Sequence, residues 1–366
     1  MKKDEIFACD KSNMFDVLKH FPLQVEEGIK IGETAQVLNP MPKGRHCVFL
    51  GMGGSAIGGD LIRSYIMALN SGQDKPEGDS VHRIITVVRN YTLPDFIAHE
   101  DLVVASSYSG GTEETLSAFT QAQKRTGNIL CISSGGTLSF EARAHSYPLI
   151  VIPTGLQPRC ALGYSFFPVL VALNNAGYFG KDAAAAIKSG IDETIHILHE
   201  KSAMYSDYER GNPALALALR LHGNIPVIYS PAELFDTVGA RWRGQMHENA
   251  KNLAFANVLP EMCHNEIESW HYPSDFTSKM FVILLRDKHE HSRVELRFDV
   301  LKKLLADKTA GIAEIDTDGE SALARMFSHI YLGDWVSYYL AILNHTDPTE
   351  IPNISRLKQE LSAVQN

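Results

Sequence analysis

The chain has 366 residues, which is enough for two domains with separate cores. Its formal net charge of −9 argues against a nucleic-acid or membrane-surface function, because both require a basic face. The apolar runs are too short to cross a bilayer, the charged N-terminus differs from a signal peptide, and the five cysteines lack C-x-x-C spacing. We therefore expect a cytoplasmic protein with reduced thiols.

The first half of the chain alternates helical and strand patterns. Residues 11–38 are predicted to be helical, and an apolar run at 48–50 then enters a glycine-rich turn and a helix to about Asn70. Further strands are predicted at 84–88, 102–106 and 128–132, with a polar loop over 71–80. Because these strands are uniformly apolar, the pattern indicates a parallel sheet covered by helices on both faces.

The second half repeats this plan after a break at 153–159. Helices are predicted over 164–205, around 237–251, and at 321–343 and 354–364, and strands at 225–230, 280–285 and 313–315. The predicted fold class is α/β, with two doubly wound parallel-sheet domains and flanking helices. We predict an N-terminal domain over 1–155, a connecting segment over 156–205 and a C-terminal domain over 206–366.

Two turns have the composition of anion-binding loops. The first, Gly51-Met52-Gly53-Gly54-Ser55, lies between a strand and a helix N-terminus, where backbone N–H groups can approach an anion. The second carries the hydroxyls of Ser107, Ser109 and Thr112 just before a helix. Helix capping accounts for one hydroxyl but not for three, so the second loop predicts a phosphate cradle.

A dinucleotide site is the alternative for the first turn. Gly51-x-Gly53-x-x-Ala56 fits the dinucleotide fingerprint, and the second strand ends at Arg89, which would suit a 2′-phosphate. An NADP-dependent enzyme therefore stays open on this pattern. A Walker loop is excluded, because Gly58 is followed by Gly59 and Asp60.

Acid–base candidates lie in the second half. Glu248 is on a predicted helix, and His264 follows in a polar loop. A carboxylate and a histidine are the minimum for moving a proton between carbons while opening a sugar ring. The structural alternative, which spacing alone favours, is that Glu248 pairs with Lys251 on a solvated face and His264 is a loop histidine.

The order of these motifs resembles a known family. The two turns described above are followed by Pro158-Arg159, Glu248-Asn249-Ala250-Lys251 and His264-Asn265-Glu266. In this order they resemble the bifunctional phosphoglucose/phosphomannose isomerases, which are built from two SIS (sugar isomerase) domains. The resemblance extends over most of the chain, to Tyr331-Leu332-Gly333-Asp334 and Asp347-Pro348-Thr349.

The resemblance implies an aldose–ketose isomerase that interconverts glucose 6-phosphate and mannose 6-phosphate with fructose 6-phosphate through a cis-enediolate. It implies that Glu248 moves the proton between C2 and C1 and that Arg159 stabilises the charge of the intermediate. His264, from the neighbouring subunit, would open the sugar ring, with Lys358 at the ring oxygen. Thr349 would accept the mannose epimer.

The same resemblance implies five ligands of the 6-phosphate: Gly54, Ser55, Ser107, Ser109 and Thr112. It implies sugar 6-phosphate substrates, a homodimer with shared active sites, and no metal or other cofactor. Gly111 stands where the family often has asparagine, a departure that leaves the hydroxyls in place.

Two relatives of this fold with other functions are the alternatives. A non-catalytic SIS-type sugar-phosphate sensor would keep the serine loop without needing Glu248 and His264, and would usually carry a DNA-binding segment. No basic helix-turn-helix pattern precedes residue 48. The isomerase part of a glucosamine 6-phosphate synthase would need an additional amidotransferase domain, for which we expect no room.

Overall fold

Five parallel strands form the first sheet. The computed structural model describes residues 8–71, 75, 83–209 and 211–363. The strands, in the spatial order β2-β1-β3-β4-β5, are β1 His46–Leu50, β2 Ile84–Val88, β3 Leu102–Ser106, β4 Ile129–Ser133 and β5 Leu149–Val151. Strands β3 and β4 are buried at every position, which explains their uniformly apolar sequences.

Helices cover this sheet and continue beyond it. Those of the first half are α1 Met14–Lys19, α2 Phe21–Thr34, α3 Gly53–Ala68, α4 Glu113–Ala122 and α5 Gly136–Ala144. A 3₁₀ turn at Pro158–Cys160 leads into α6 Leu162–Asn175, α7 Lys181–Tyr205 and α8 Pro213–Leu221.

Four parallel strands form the second sheet. They are β6 Ile225–Pro231, β7 Phe255–Leu259, β8 Met280–Leu285 and β9 Gly311–Ile315, in the order β7-β6-β8-β9. The accompanying helices are α9 Asp236–Glu248, α10 Ser274–Thr277, α11 Ser292–Leu305, α12 Ala322–Leu343 and α13 Pro352–Ala363. This strand order repeats β2-β1-β3-β4, so the predicted α/β fold with two parallel-sheet units is confirmed.

Helix α12 lies at the centre of the molecule. It is buried from Ala322 to Ile342 and packs against α7, α8 and α9. Its apolar sequence has little amphipathic character, which is typical of a helix surrounded by protein. The Tyr331 hydroxyl also donates to the Leu18 carbonyl oxygen at 2.7 Å. One continuous hydrophobic core therefore joins the N-terminal helices to the second sheet.

Most predicted elements are present, with particular differences. Strands 84–88, 102–106 and 280–285 are confirmed to the residue. The helical prediction over 11–38 is confirmed for Met14–Lys19 and Phe21–Thr34, but residues 35–38 are not helical and two helices meet at His20, where Pro22 starts the second. The helix predicted to reach 251 ends at Glu248, and β5 and β7 were not predicted. Most of the predicted loop over 71–80 lies outside the described residues. The exact domain limits stay a prediction.

The described helices include none that is both long and apolar enough to span a membrane.

Gly333 on α12 generates a stability prediction. A Cβ at this position would clash with the indole of the fully buried Trp242 on α9. We expect Gly333→Ala to lower the free energy of unfolding by about 1–3 kcal/mol through overpacking, measured by urea denaturation. The matched control is Gly244→Ala in α9, where a Cβ meets no atom within 4 Å. The control should be neutral or stabilising, and equal stabilities of the two variants would contradict this account.

Candidate active site

A cleft of about 420 Å³ lies between the start of α3 and the length of α9. Gly53 and Gly54 line one wall, and α9 contributes the other down to Glu248. The walls are tied together by Asp236, which accepts hydrogen bonds from Arg63 Nη2 at 2.8 Å and Ser64 Oγ at 2.9 Å. The cleft is therefore formed by both halves of the chain.

Arg159 is the buried cation of this cleft. Its Nε donates to Asn249 Oδ1 at 2.7 Å, and its Nη1 lies 3.4 Å from Glu248 Oε2. Its Nη2 donates to the carbonyl oxygens of Pro348 and Thr349 at 2.7 and 2.9 Å. The Arg159 side chain is 4% exposed, whereas that of Glu248 is 32% exposed, so the carboxylate can meet a ligand in the cleft.

A buried network supports Arg159 from behind. Arg241 Nη2 donates to the Arg159 carbonyl oxygen at 3.0 Å and to Asp334 Oδ2 at 2.8 Å. Gln245 Nε2 donates to the other Asp334 oxygen at 2.8 Å. Desolvation raises the pKa of Asp334, against the opposing effects of Arg241 and Gln245. The network fixes α9 against both the 3₁₀ turn and α12.

The two predicted phosphate loops are adjacent. The Tyr108 N–H donates to Ser55 Oγ at 3.0 Å, which joins the first loop to the second. The hydroxyls of Ser107 and Thr112 are 2.9 Å apart. Thr112 occupies the N-cap of α4 but its side chain makes no capping hydrogen bond. Capping therefore does not account for this hydroxyl.

The remaining members of these loops have distinct environments. Ser109 is exposed to solvent, and its side-chain oxygen accepts a hydrogen bond from the Gly111 N–H at 3.3 Å. At Gly111 a Cβ would meet no atom within 4 Å, so the departure from the family pattern leaves this geometry unaffected. At Gly54 a Cβ would lie 2.9 Å from the Arg159 nitrogen, so glycine permits the close approach of the loop to the 3₁₀ turn.

Of the predicted site residues, Gly54, Arg159 and Glu248 line the cleft. The other seven do not line it: Ser55, Ser107, Ser109, Thr112, His264, Lys358 and Thr349. His264 is exposed at the end of a 3₁₀ turn after β7 and does not line the cleft that contains Glu248. Lys358 is exposed on α13. Thr349 is half-buried, and its carbonyl oxygen contacts Arg159 while the residue lines a separate cavity of about 180 Å³. Within one subunit the fold thus brings Thr349 to Arg159 but leaves His264 apart from Glu248.

The structure bears on both alternatives of the sequence analysis. Arg89, the candidate for a 2′-phosphate, forms an ion pair with Asp60 of α3 that neutralises its charge. The predicted pairing of the Glu248 carboxylate with Lys251 is not the observed one. Lys251 Nζ donates instead to the main-chain oxygen of Glu248 at 2.9 Å, and the carboxylate faces Arg159.

Several residues of the site had no role assigned from sequence. Asn249 orients Arg159 and donates to Ser337 Oγ at 3.0 Å. Glu266 accepts from the Tyr229 hydroxyl at 2.5 Å, which anchors the loop that carries His264. Both belong to motifs that the sequence displays, but only the packing shows what they contact. Within the described part of the chain, no three His, Cys, Asp or Glu side chains are grouped so as to hold a metal ion.

Comparison with known proteins agrees with this architecture. Residues 210–361 match the model of the bacterial phospho-glucose isomerase C-terminal SIS domain. A crystal structure of a glucose-6-phosphate isomerase like protein from Thermus thermophilus superimposes with a TM-score of 0.64 at 17% identity, over 97% of this chain and 100% of that one. The fold and the cleft thus define a protein of two SIS domains.

The curated relatives identify the family. A bifunctional phosphoglucose/phosphomannose isomerase of Caldicellulosiruptor bescii is 36% identical over 96% of this chain and 100% of its own length. The enzyme of that name from Aquifex aeolicus is 37% identical over 86% of this chain and 89% of its own. The chain belongs to the bifunctional phosphoglucose/phosphomannose isomerase family, as the order of its motifs predicts.

The buried network generates a second stability prediction. Asp334→Asn would leave the Arg241 guanidinium buried without a carboxylate, which we expect to cost about 3–5 kcal/mol in the free energy of unfolding. The control is Asp95→Asn, whose carboxylate pairs with Arg125 at the surface and should change stability by less than about 1 kcal/mol. Urea denaturation of both variants checks this, and a loss at Asp334 no larger than at Asp95 would refute the structural role of the network.

Proposed function

We propose that this protein interconverts glucose 6-phosphate and mannose 6-phosphate with fructose 6-phosphate. The observation that carries the proposal is the Glu248 carboxylate, partly exposed in the cleft beside the buried Arg159 guanidinium. A carboxylate base and a fixed cation are what an aldose–ketose isomerisation needs, because it moves one proton between neighbouring carbons through an anionic intermediate. Membership of the isomerase family supports the same assignment.

In the proposed reaction Glu248 is the general base. It removes the proton from C2 of the open-chain aldose, which gives a cis-enediolate. It then returns the proton to C1 on the same face of the enediolate. The proton of the C2 hydroxyl moves to the oxygen on C1, so that C2 becomes the ketone carbon and no atom is gained or lost. Arg159 stabilises the negative charge of the enediolate oxygens.

Arg159 keeps one donor for this task. A guanidinium has five N–H donors, and the described residues accept four hydrogen bonds from Arg159. The fifth, on Nη1, is on the side of the group that faces Glu248. Because the other four fix the plane of the guanidinium, this donor would meet the enediolate without reorganisation.

The two loops form the proposed site of the 6-phosphate. Gly54 and Ser55 would contribute from the N-terminus of α3, and Ser107, Ser109 and Thr112 would contribute from the loop before α4. The uncapped first turn of α4 supports this proposal, because its free N–H groups and the helix dipole favour a dianion.

The proposal includes a homodimer with shared sites. His264 would open the sugar ring of the neighbouring subunit, with Lys358 at the ring oxygen and Thr349 accepting the mannose epimer. Exposed His264 supports this arrangement, since it does not line the cleft of its own chain. Helix α13 has no buried residue, and Ile354 and Leu357 are exposed along it, which suggests a face that a second subunit covers.

The proposed chemistry uses amino-acid side chains alone. Proton transfer by Glu248 and charge stabilisation by Arg159 require neither a metal nor an organic cofactor. We also place the enzyme in the cytoplasm, a proposal that the five free cysteines support.

Glu248→Gln tests the proposed base. We expect kcat to fall by about 10²- to 10⁴-fold for both aldose phosphates, because glutamine cannot accept the proton. Conversion to fructose 6-phosphate is measured by a coupled assay in the presence of EDTA, with Glu295→Gln on the exposed face of α11 as the matched control. Wild-type turnover of both sugars that survives EDTA is the expected result.

Other outcomes of this assay separate the alternatives. Turnover of glucose 6-phosphate alone would remove the mannose activity from the proposal. Activity lost with EDTA would contradict the metal-independent mechanism. Binding of glucose 6-phosphate without turnover of either sugar would favour the sensor, and thermal stabilisation by NADP would favour the dinucleotide enzyme.

Subunit complementation tests the shared site. Glu248→Gln and His264→Gln dimers are mixed, exchanged at low protein concentration and assayed for glucose 6-phosphate turnover. If His264 acts in the partner's site, each mixed dimer has one intact site, and about a quarter of the wild-type activity should return. No recovery, with subunit exchange verified by differently tagged chains, would place both residues in the site of one subunit or exclude the dimer.

A further inference from the structure

Lys251 has a backbone conformation that its residue type disfavours. It lies three residues beyond Glu248, just past the end of α9, with φ of 52°. The next N–H, of Asn252, donates back to the Met246 carbonyl oxygen at 3.0 Å and closes the helix end. Glycine is the usual residue at such a left-handed position, because a Cβ makes this conformation unfavourable. A lysine at this position suggests that its side chain makes contacts that glycine could not make.

The ammonium group of Lys251 is fully engaged with main-chain oxygens. Its Nζ donates to the carbonyl oxygens of Glu248 at 2.9 Å, Asn249 at 3.2 Å and Asp347 at 2.6 Å. An ammonium has three N–H donors, so the three bonds use all of them. The first two acceptors are unpaired carbonyls at the negative end of the α9 dipole. The third belongs to the segment that leads into α13.

That same segment holds Arg159. The carbonyl oxygens of Pro348 and Thr349 accept from Arg159 Nη2, so two cations bind the three consecutive carbonyls of 347–349. Arg159 in turn contacts the Glu248 carboxylate. The bonds form a closed ring that runs from Glu248 through Arg159 and segment 347–349 to Lys251, and back to the main chain of Glu248.

Building on the proposed isomerase function, we infer that Lys251 is a positioning residue. Its ammonium fixes segment 347–349 to the end of α9, and so holds Arg159 and Thr349 at their working distance from the Glu248 carboxylate. Without this bond, the hydrogen bonds that tie the segment to the site, among the described residues, are those of Arg159 itself. The guanidinium would then follow the movements of the segment instead of being held in place against them.

The charge environment makes this role sensitive to pH. Desolvation and the nearby Arg159 guanidinium lower the pKa of Lys251 to about 8, against the attraction of Asp347, Glu248 and Glu350. As the pH rises through this value the ammonium becomes a neutral amine with two N–H donors, so one of the three carbonyls loses its hydrogen bond. Activity should therefore decline on the alkaline side near pH 8, while the protein stays folded.

Two substitutions test the inference. Lys251→Asn removes the cation but keeps a residue type that tolerates the left-handed conformation. We expect kcat to fall by about 10- to 100-fold through misplacement of Arg159, with a smaller change in KM and a melting temperature within a few degrees of wild type. The ratio of mannose 6-phosphate to glucose 6-phosphate turnover should also change, because Thr349 lies in the released segment. Lys308→Asn, in the turn after α11, is the control for loss of a lysine.

Lys251→Arg provides the rescue. An arginine keeps its charge at every accessible pH, so this variant should recover part of kcat and lose the alkaline decline near pH 8. Wild-type kcat, substrate ratio and pH profile in folded Lys251→Asn would overturn the inference. If Lys251→Asn does not fold, an alkaline limb that is identical in wild type and Lys251→Arg would overturn it. An inactive wild type would instead refute the proposed isomerase function.

Discussion

The buried guanidinium of Arg159 is the interaction on which the site depends. Taking a charged group out of water costs several kcal/mol unless its donors are satisfied with good geometry. Here the acceptors come from places far apart in the chain: the end of α9, through Asn249 and Glu248, and the carbonyls of 348 and 349. The fold must bring these groups together around one side chain. That requirement fixes where Glu248, the 3₁₀ turn and segment 347–349 lie relative to one another.

The walls of the cleft are held at two further points. Asp236 at the start of α9 binds Arg63 and Ser64 of α3, while Asp334 of α12 holds Arg241 further along α9. Helix α9 is thus bound to α3 at its N-terminal end and to α12 further along its length. These contacts hold α9, with Glu248 at its last turn, and in the proposed isomerase they would supply the preorganisation that electrostatic catalysis requires.

Much of the fold follows from the sequence because the strands are uniformly apolar. Runs such as 102–106 and 280–285 are typical of a sheet covered on both faces, and the structure has strands at these residues with nearly every position buried. Strand β5 has three residues, and β7 is a sheet edge with Phe255 exposed and Asn257 in its middle. The β7 sequence lacks the uniform apolar run from which a strand is predicted, whereas β5 has such a run but only over three residues. The break at His20 depends on Pro22, whose effect a helical periodicity does not register.

The candidate site divides in the same way. The motifs display the types and the order of the candidate residues Gly54, Ser107, Arg159 and Glu248, and the family is predicted from that order. The contacts that these residues make are not displayed in the motifs, because Arg159 meets Asn249 across 90 positions and Thr349 across 190. A local sequence pattern cannot predict a contact between residues that are so far apart in the chain.

The sequence by itself determined the class of fold, the glycine and hydroxyl loops, and the positions of the candidate residues Glu248 and Arg159. Local chemistry suffices for these, since apolar runs, glycines and ionisable groups act over a few residues. Only the tertiary structure decided that Arg159, and not Lys251, faces the Glu248 carboxylate, and that Arg89 is neutralised by Asp60. The physical reason is that a charged group's partner depends on which surfaces the core packs together, and the core is assembled from the whole chain.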